Sequence, residues 1–248
     1  MSAVVLITGA SRGIGAATAL LAARQGYAVA VNYSANSLAA DEVVRQIRQA
    51  GGTAMAVQAD VADEAQVLTM FEKVDAKLGR LTALVNNAGV VDQTSRVDAM
   101  SMARFGRMFE INVYGSFVCA REAVRRMSTR HGGTGGTIVN LSSVAARLGA
   151  PGQYVDYAAA KGAIDSFTVG LAKEVATEGI RVNAVRPGII ETDIHASGGL
   201  PNRAREMAPQ VPMQRPGSAE EVARSILWLM SPESSYTTGT VLDVTGGR

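Results

Sequence analysis

Residues 8–15 read Thr8-Gly9-Ala10-Ser11-Arg12-Gly13-Ile14-Gly15, and this glycine-rich stretch decides which class of fold the chain can adopt. It follows an apolar run at residues 3–8 with the composition of a β-strand and precedes residues 16–24, which have that of a helix. Glycines let a backbone approach a phosphate closely, and a helix N-terminus offers free N–H groups. The order strand, glycine loop, helix therefore indicates a dinucleotide-binding unit, although an ordinary glycine turn would explain this stretch equally well.

Strand and helix patterns alternate through the rest of the chain. Further strands are expected at residues 27–33, 53–58, 81–85, 137–141, 180–185 and 239–244. Helices are expected at residues 38–49, 63–78, 101–130 and 218–230, and in the segment that begins at Tyr157. The alternation predicts an α/β fold, a Rossmann-like doubly wound parallel sheet of about seven strands with helices on both faces. Ligands of such sheets bind at the carboxyl ends of the strands.

Composition narrows the classes of protein that the chain can be. Its 248 residues suit a single dinucleotide-binding domain over 1–248, and 47% hydrophobic with 19% charged residues is a globular balance. The 24 basic and 22 acidic residues are well mixed, so neither a nucleic-acid nor a membrane partner is expected. Cys119 is the only cysteine, which excludes an internal disulfide, and a cytoplasmic location is expected. No apolar run reaches transmembrane length, and the first residues do not resemble a signal peptide.

The stretch Tyr157-Ala-Ala-Ala-Lys161 places a phenol and an ammonium four residues apart. In a helix, which three alanines favour, these side chains lie on one face. A phenol titrates near pH ~10, and a neighbouring cation lowers that pKa. The pair is therefore a candidate acid/base. Two exposed side chains on an ordinary helix would explain the spacing without any function.

The end of the second predicted strand bears on the choice of cofactor. Dinucleotide folds commonly place an acidic residue there for the adenosine ribose, but this chain has Asn32, Tyr33 and Ser34. Arg12 stands nearby in the glycine loop and suits the extra phosphate of NADP. The sequence therefore favours NADP. Alternatively, Arg12 is solvent-exposed and the site accepts both cofactors.

Several further polar positions admit two interpretations. Asn86-Asn87 forms a simple turn or ties neighbouring strand ends together. Asn112, a poor residue within a helix, marks a local kink or a functional group. Residues 191–211 lack a strong period and are expected to form a mobile lid or substrate loop, in which His195 contacts substrate or is exposed.

These motifs stand in a specific order along the whole chain: the glycine stretch 8–15, Asn86-Asn87-Ala88-Gly89, Asn112, Ser143, Tyr157 with Lys161, Pro187-Gly188 and Thr192. Each is weak alone, but the set in register closely resembles the single-domain short-chain dehydrogenase/reductase family. The resemblance implies that Tyr157 is the proton donor or base and that Lys161 lowers its pKa and binds the nicotinamide ribose. It implies that Ser143 holds the substrate oxygen and that Asn112 holds a water in a proton relay. The cofactor residues that it implies, besides Tyr157 and Lys161, are Gly9, Ser11, Arg12, Gly13, Ile14, Gly15, Tyr33, Asp60, Val61, Asn87, Gly89, Pro187, Gly188 and Thr192.

The family implies hydride transfer between a carbonyl or alcohol carbon and nicotinamide C4, with NADP preferred, NAD possible and no metal. It also implies a small-molecule substrate and a homotetramer. The substrate itself is open, between a glucose-type sugar dehydrogenase, a 3-oxoacyl reductase and others. Glu178 stands where the carrier-protein reductases usually have a basic residue, which disfavours that role, and Gln153 and Tyr154 are plausible substrate contacts. Two rival functions are a nucleotide-binding sensor without catalysis and an isomerase or dehydratase acting on nucleotide sugars.

Overall fold

The computed structural model describes residues 3–194 and 198–248, which contain a seven-stranded parallel sheet in the order β3-β2-β1-β4-β5-β6-β7. The strands are β1 Val4–Ile7, β2 Ala28–Tyr33, β3 Ala54–Gln58, β4 Ala83–Asn86, β5 Gly136–Leu141, β6 Ile180–Pro187 and β7 Val241–Val244. The chain starts in the middle of the sheet, builds one edge and then crosses to build the other. This arrangement confirms the predicted Rossmann-like fold.

Helices cover both faces of the sheet. In the described residues they are α1 Gly13–Arg24, α2 Ser37–Gln49, α3 Glu64–Leu78, α4 Met102–Phe109, α5 Gly115–Met127, α6 Ala145–Leu148, α7 Val155–Val175, α8 Arg203–Met207 and α9 Ala219–Met230. Side chains alternate along a strand, so Val5 and Ile7 of β1 pack in one core with α1, α2 and α9. Leu6 packs on the opposite face, in a core with α3, α5 and α7. Packing in these two cores holds the strands in register, so that the loops after their carboxyl ends lie at one edge of the sheet.

The single long helix expected at residues 101–130 is interrupted. A π-helical turn, Glu110–Tyr114, separates α4 from α5 and contains Asn112, whose side chain is buried. The Asn112 amide donates to Met108 O at 3.0 Å and to Val90 O at 3.0 Å. The side chain thus competes for the carbonyl that a regular helix would use at this turn, which explains the local widening.

Two other segments are more ordered than the sequence indicates. The residues after β5 form the short helix α6, which residues 149–154 separate from α7. Within 191–211, α8 is followed by the 3-10 turn Ala208–Gln210.

Helix starts follow the expected capping chemistry, since Asp63 Oδ1 accepts from Gln66 N at 3.1 Å at the start of α3.

Cys119, the only cysteine of the chain, lies in α5 without exposed surface. It belongs to the core between the sheet and helices α3, α5 and α7. Burial raises the pKa of its thiol to about 12, and the nearby carboxylate of Glu122 acts in the same direction. The side chain is therefore a neutral packing group.

Candidate active site

Two adjoining cavities lie at the carboxyl ends of the strands. The larger, of about 540 Å³, is lined by residues that follow β5 and β6 and by the start of α7. The smaller, of about 260 Å³, is lined by the glycine loop and the ends of β2 and β3. Both are bordered by Ile14, Asn87, Gly89, Thr192 and Ile194, so they form one continuous crevice.

The crevice brings most of the predicted site residues together. The larger cavity is lined by Ser143, Tyr157, Lys161, Pro187 and Gly188. The smaller is lined by Gly9, Ser11, Arg12, Gly13, Tyr33, Asp60 and Val61. Gly15 and Asn112 line neither cavity. Both lie behind the wall of the crevice. Gly15 packs against the glycine loop, and Asn112 holds the loop after β4.

The glycine loop is held against the sheet by a buried asparagine that sequence reasoning did not place. Asn32 Oδ1 accepts from Gly9 N at 3.1 Å, and its amide donates to Val57 O at 3.3 Å and Ala59 O at 3.1 Å. Asn32 thereby connects the ends of β2 and β3 to the loop. Gly9 itself has φ +61°, and a Cβ there would lie 2.9 Å from Ala88 Cα, so only glycine fits.

Asn87 ties neighbouring strand ends together, as one of the two interpretations of the adjacent asparagines predicts. Its amide donates to Thr8 O at 2.8 Å and to Gly9 O at 2.9 Å. Asn86 makes a second tie, donating to Asn140 Oδ1 at 2.9 Å. The glycine loop and the loop after β4 are consequently one hydrogen-bonded unit.

Ser143, Tyr157 and Lys161 form the chemical centre of the larger cavity. Helix α7 places Tyr157 and Lys161 one turn apart, with the ammonium nitrogen 5.6 Å from the phenol ring centroid. Lys161 is buried, and its Nζ donates to Leu141 O at 2.7 Å at the end of β5. The Ser143 hydroxyl accepts from Ala145 N at 3.1 Å and also hydrogen-bonds to the Tyr157 side chain. A hydroxyl, a phenol and an ammonium therefore converge on one space.

The pKa values of this centre depart from the sequence-based expectation. Burial raises the pKa of Tyr157 to about 12, and the hydrogen bond with Ser143 opposes the rise. Burial also lowers the pKa of Lys161 to about 8, against the opposing charge of Asp165. The sequence predicts that Lys161 lowers the phenol pKa, but loss of hydration dominates both groups, and Lys161 Nζ is directed to the carbonyl of Leu141. Tyr157 is thus a phenol, not a phenolate, at neutral pH.

Asn112 reaches this centre from behind. Its Oδ1 accepts from Val90 N at 3.2 Å, so its amide group holds the backbone of Val90 through both donor and acceptor. A Cβ at Gly89 would lie 2.8 Å from Asn112 Oδ1 and 3.5 Å from Lys161 Nζ. The absence of a side chain at Gly89 therefore leaves the asparagine and the lysine next to each other.

The crevice has the properties needed to hold a dinucleotide. Gly13, at φ +55°, opens α1, and a Cβ there would point at Thr192 on the opposite wall, 3.5 Å from its Cγ2. The loop therefore presents bare backbone and a helix N-terminus to the crevice. Tyr33, Asp60 and Val61 surround the far end, where an adenosine would lie.

The structure adds cationic side chains that the sequence did not single out, two of them on helices. Arg107 of α4 lines the smaller cavity, and Arg203 of α8 lines the larger one. Neither position has a sequence signal, because the path of the chain around the crevice decides both. Gln153 and Tyr154 line the larger cavity as expected, whereas His195 lies outside the described residues.

Within residues 3–194 and 198–248, no set of three or more His, Cys, Asp or Glu side chains is placed to hold a metal ion. No helix in that part of the chain has the length and hydrophobicity needed to cross a bilayer.

Comparison with known proteins gives consistent results. A family model described as enoyl-(acyl carrier protein) reductase matches residues 9–248. The chain is 56% identical to the uncharacterized oxidoreductase YgfF of Escherichia coli over 246 residues, covering 99% of this chain and 100% of that protein. It is 40% identical to a cis-4-hydroxycyclohexanecarboxylate dehydrogenase of Sinomonas cyclohexanicum, covering 98% and 95%.

A carrier-protein enzyme and a solved structure extend the comparison. The chain is 40% identical to a 3-oxoacyl-acyl-carrier-protein reductase of Synechocystis, covering 98% of this chain and 96% of that protein. A variant of a Serratia marcescens short-chain dehydrogenase/reductase superposes with a TM-score of 0.90 at 32% identity, covering 99% and 97%. Fold, crevice and relatives together define an oxidoreductase that uses a nicotinamide nucleotide. The chain belongs to the short-chain dehydrogenase/reductase family.

Proposed function

We propose that the protein interconverts a carbonyl and an alcohol with NADP(H), and that Tyr157 is its acid/base. The observation that carries the proposal is the convergence of Ser143, Tyr157 and Lys161 on one cavity that is continuous with the glycine loop. A sensor of nucleotides would need the glycine loop but not this centre. The oxidoreductase relatives also favour an enzyme over a sensor.

The bound nicotinamide would supply hydride to the carbonyl carbon, or take it back from the alcohol carbon. Ser143 donates a hydrogen bond to the substrate oxygen and holds it beside the Tyr157 hydroxyl. In reduction, Tyr157 gives its proton to that oxygen as negative charge develops there. A phenol with a pKa of about 12 is fully protonated for this role at pH 7.

Loss of the proton leaves Tyr157 as a phenolate next to Lys161. An ammonium at this distance stabilises the negative phenolate more than the neutral phenol. Lys161 therefore assists the proton transfer that leaves Tyr157 negatively charged. Asn112 positions the loop after β4 beside Lys161, and we assign it the support of proton return to Tyr157. In the direction of oxidation the same groups work in reverse, with the phenolate as the base.

The preference for NADP rests on the far end of the crevice. Tyr33 and Ser34 line this end of the crevice where β2 ends. This strand end has no carboxylate that would accept hydrogen bonds from the ribose hydroxyls or repel a phosphate. Arg12 and Arg107 line the same cavity and present guanidinium groups there, together with the carboxylates of Asp60 and Asp193. An adenosine 2′-phosphate would gain from both guanidinium groups.

The decisive test removes the Tyr157 hydroxyl alone. Tyr157→Phe is expected to lower turnover of a carbonyl panel with NADPH by about 10²- to 10⁴-fold, because a positioned acid contributes that much. NADPH binding, followed by its fluorescence, should stay within about twofold of the parent, since ring and packing are kept. Near-parental turnover in Tyr157→Phe would refute the assignment.

Cofactor choice is tested separately. Tyr33→Asp should shift the ratio of kcat/KM values toward NAD by about tenfold or more, because a carboxylate would repel the 2′-phosphate. Tyr33→Asn is the matched control, since asparagine has nearly the same shape as aspartate but carries no charge. Equal ratios for the two variants would show that the specificity site lies elsewhere.

Among the substrates named for relatives, a carrier-bound 3-oxoacyl chain has less support. Arg130, a basic residue close to the end of α5, is paired with Glu178 at 3.1 Å, which reduces the positive charge available to an acidic carrier. A cyclic hydroxy acid, which the name of the Sinomonas relative gives for that enzyme, or the oxo acid formed by its oxidation, is compatible with the apolar lining of the larger cavity.

We also propose a cytoplasmic homotetramer. Helices α5 and α7 carry Phe117 and Phe167, whose rings stack at 3.7 Å, and Phe117 is 43% exposed. Tyr114 and Val169 are further exposed apolar side chains in the same part of the chain, and such exposure favours burial against other copies of the chain. Mass measurement in solution tests this assembly.

A further inference from the structure

We infer that the substrate of the proposed reaction carries a carboxylate and that Arg203 binds it. The inference rests on the proposed function, because it concerns the same cavity, but it assigns the substrate a charge and the enzyme a specificity residue. Arg203 belongs to α8, whereas Ser143 and Tyr157 come from the sheet side of the cavity.

The cavity has an unbalanced charge. Among the described residues that line it, Lys161, Arg203 and Arg248 are basic and none is Asp or Glu. Much of the remaining wall is apolar and is formed by Val91, Leu141, Val144, Leu148, Ile189, Ile190, Ile194 and Met207. Lys161 already donates to Leu141 O and borders the phenol. A compact apolar substrate with one negative group is therefore complementary to this space.

Arg203 is positioned by two neighbours in the cavity wall. Its Nη2 donates to Gln153 Oε1 at 2.6 Å, and its guanidinium lies over the Tyr154 ring at 5.3 Å from the centroid. Both contacts restrict the guanidinium without neutralising it. The cost of ordering this long side chain is therefore met before a ligand arrives.

Neither contact uses up the hydrogen-bonding capacity of Arg203. Within the described residues it has no carboxylate partner, and Gln153 accepts from only one of its five N–H donors. The remaining fork matches the two oxygens of a carboxylate. By contrast Arg205, two residues further along α8, points to solvent with 80% of its side chain exposed and pairs with Glu191 at 3.6 Å. The structure thus distinguishes a cation facing the cavity from an adjacent one on the surface.

The test compares one ring with and without its negative charge. Initial rates with NADPH are measured for 4-oxocyclohexanecarboxylate and for its methyl ester, in the parent and in Arg203→Gln. The variant should lose about 10- to 100-fold in kcat/KM for the acid, as expected for a charged hydrogen bond, and about threefold or less for the ester. Equal losses for both compounds, or none for the acid, would overturn the inference.

Two variants control for shape. Arg205→Gln removes the exposed neighbouring cation and should leave both rates unchanged. Arg203→Lys keeps the charge but not the planar fork. Compared with Arg203→Gln, it should therefore regain part of the activity with the acid, while the activity with the ester stays the same in both variants. A loss in Arg205→Gln as large as in Arg203→Gln would attribute the effect to general charge and refute a specific site.

A binding measurement separates this inference from the proposed reaction. Cyclohexanecarboxylate has no carbonyl and cannot be reduced, so its affinity for the enzyme with NADP⁺ reports recognition alone. Calorimetry should show binding in the parent that Arg203→Gln weakens by about tenfold or more. Binding without turnover of any carbonyl would refute the reaction and keep the site. Turnover of the ester with no binding of the acid would refute the site and keep the reaction.

Discussion

Replacing Gly15 by alanine tests whether the glycine loop and the loop after β4 act as one unit. A Cβ at Gly15 would lie 2.6 Å from Gly9 O, 2.6 Å from Asn87 Nδ2 and 2.9 Å from Ala10 Cα. Two of these atoms belong to the backbone and cannot rotate away. The methyl group must therefore displace the loop, the Asn87 amide, or both.

The cost follows from the contacts. Overpacking at such a site costs about 1–3 kcal/mol. Moving Asn87 weakens its bonds to Thr8 O and Gly9 O, each worth about 0.5–1.5 kcal/mol. Alanine returns about 1 kcal/mol through its higher helix propensity. The free energy of unfolding should thus fall by about 1–5 kcal/mol.

Urea unfolding followed by circular dichroism measures that loss, and NADPH fluorescence measures binding by the same variant. We expect affinity for NADPH to fall by about tenfold or more, because the displaced loop lines the crevice. Gly106→Ala is the control. Its Cβ would make only an ordinary contact, 3.8 Å from Glu110 Oε1 in α4, so stability should rise slightly.

Parental stability together with parental NADPH affinity in Gly15→Ala would refute this reasoning. Loss of stability with unchanged affinity would show that the loop packs tightly but takes no part in binding. Only a joint loss, absent from Gly106→Ala, supports a loop that is shaped for a dinucleotide.

Two other predictions concern buried charge. Arg104 donates to Asp156, the residue before Tyr157, through hydrogen bonds of 2.7 and 3.2 Å, and the carboxylate is fully buried. Asp156→Asn should therefore lower the free energy of unfolding, measured by urea titration, by about 3–5 kcal/mol. A loss below about 1 kcal/mol would contradict this expectation. Burial lowers the pKa of Lys161 from 10.5 to about 8, so between these values the unfolded chain binds more protons and stability should increase as pH rises. Lys161→Met should lack that rise when urea midpoints are compared at pH 7 and pH 10, and an identical rise in both proteins would assign it to another group.

Local patterns predict the sheet, and they single out many of the residues that line the crevice. The alternation of strands and helices determines where strands end, and it therefore predicts that the glycine loop, Asn87, Ser143 and Pro187-Gly188 lie at one edge of the sheet. Boundaries moved by a few residues, as for α1, which begins at Gly13, because terminal turns depend on tertiary contacts.

The features that the sequence did not predict depend on non-local contacts. The π-helical turn at Asn112 accompanies a side chain that bonds Met108 O within the helix and Val90 O, more than twenty residues away. The sequence shows Asn32 only as one of three residues at a strand end that lacks a carboxylate, whereas in the structure its buried side chain accepts a hydrogen bond from Gly9 N. Arg203 faces the cavity only because α8 folds back across it. The pKa of Tyr157 likewise follows from burial, which spacing along a helix does not reveal.

The buried thiol of Cys119 makes the enzyme convenient to label. Alkylating reagents attack the thiolate, and a group with a pKa of about 12 and no exposed surface provides almost none at pH 7–8. A cysteine introduced in place of the exposed Arg205 would then be the one reactive sulfur, with the native residue left in place. A fluorophore attached there would report directly whether the segment carrying α8 changes position when cofactor and substrate bind.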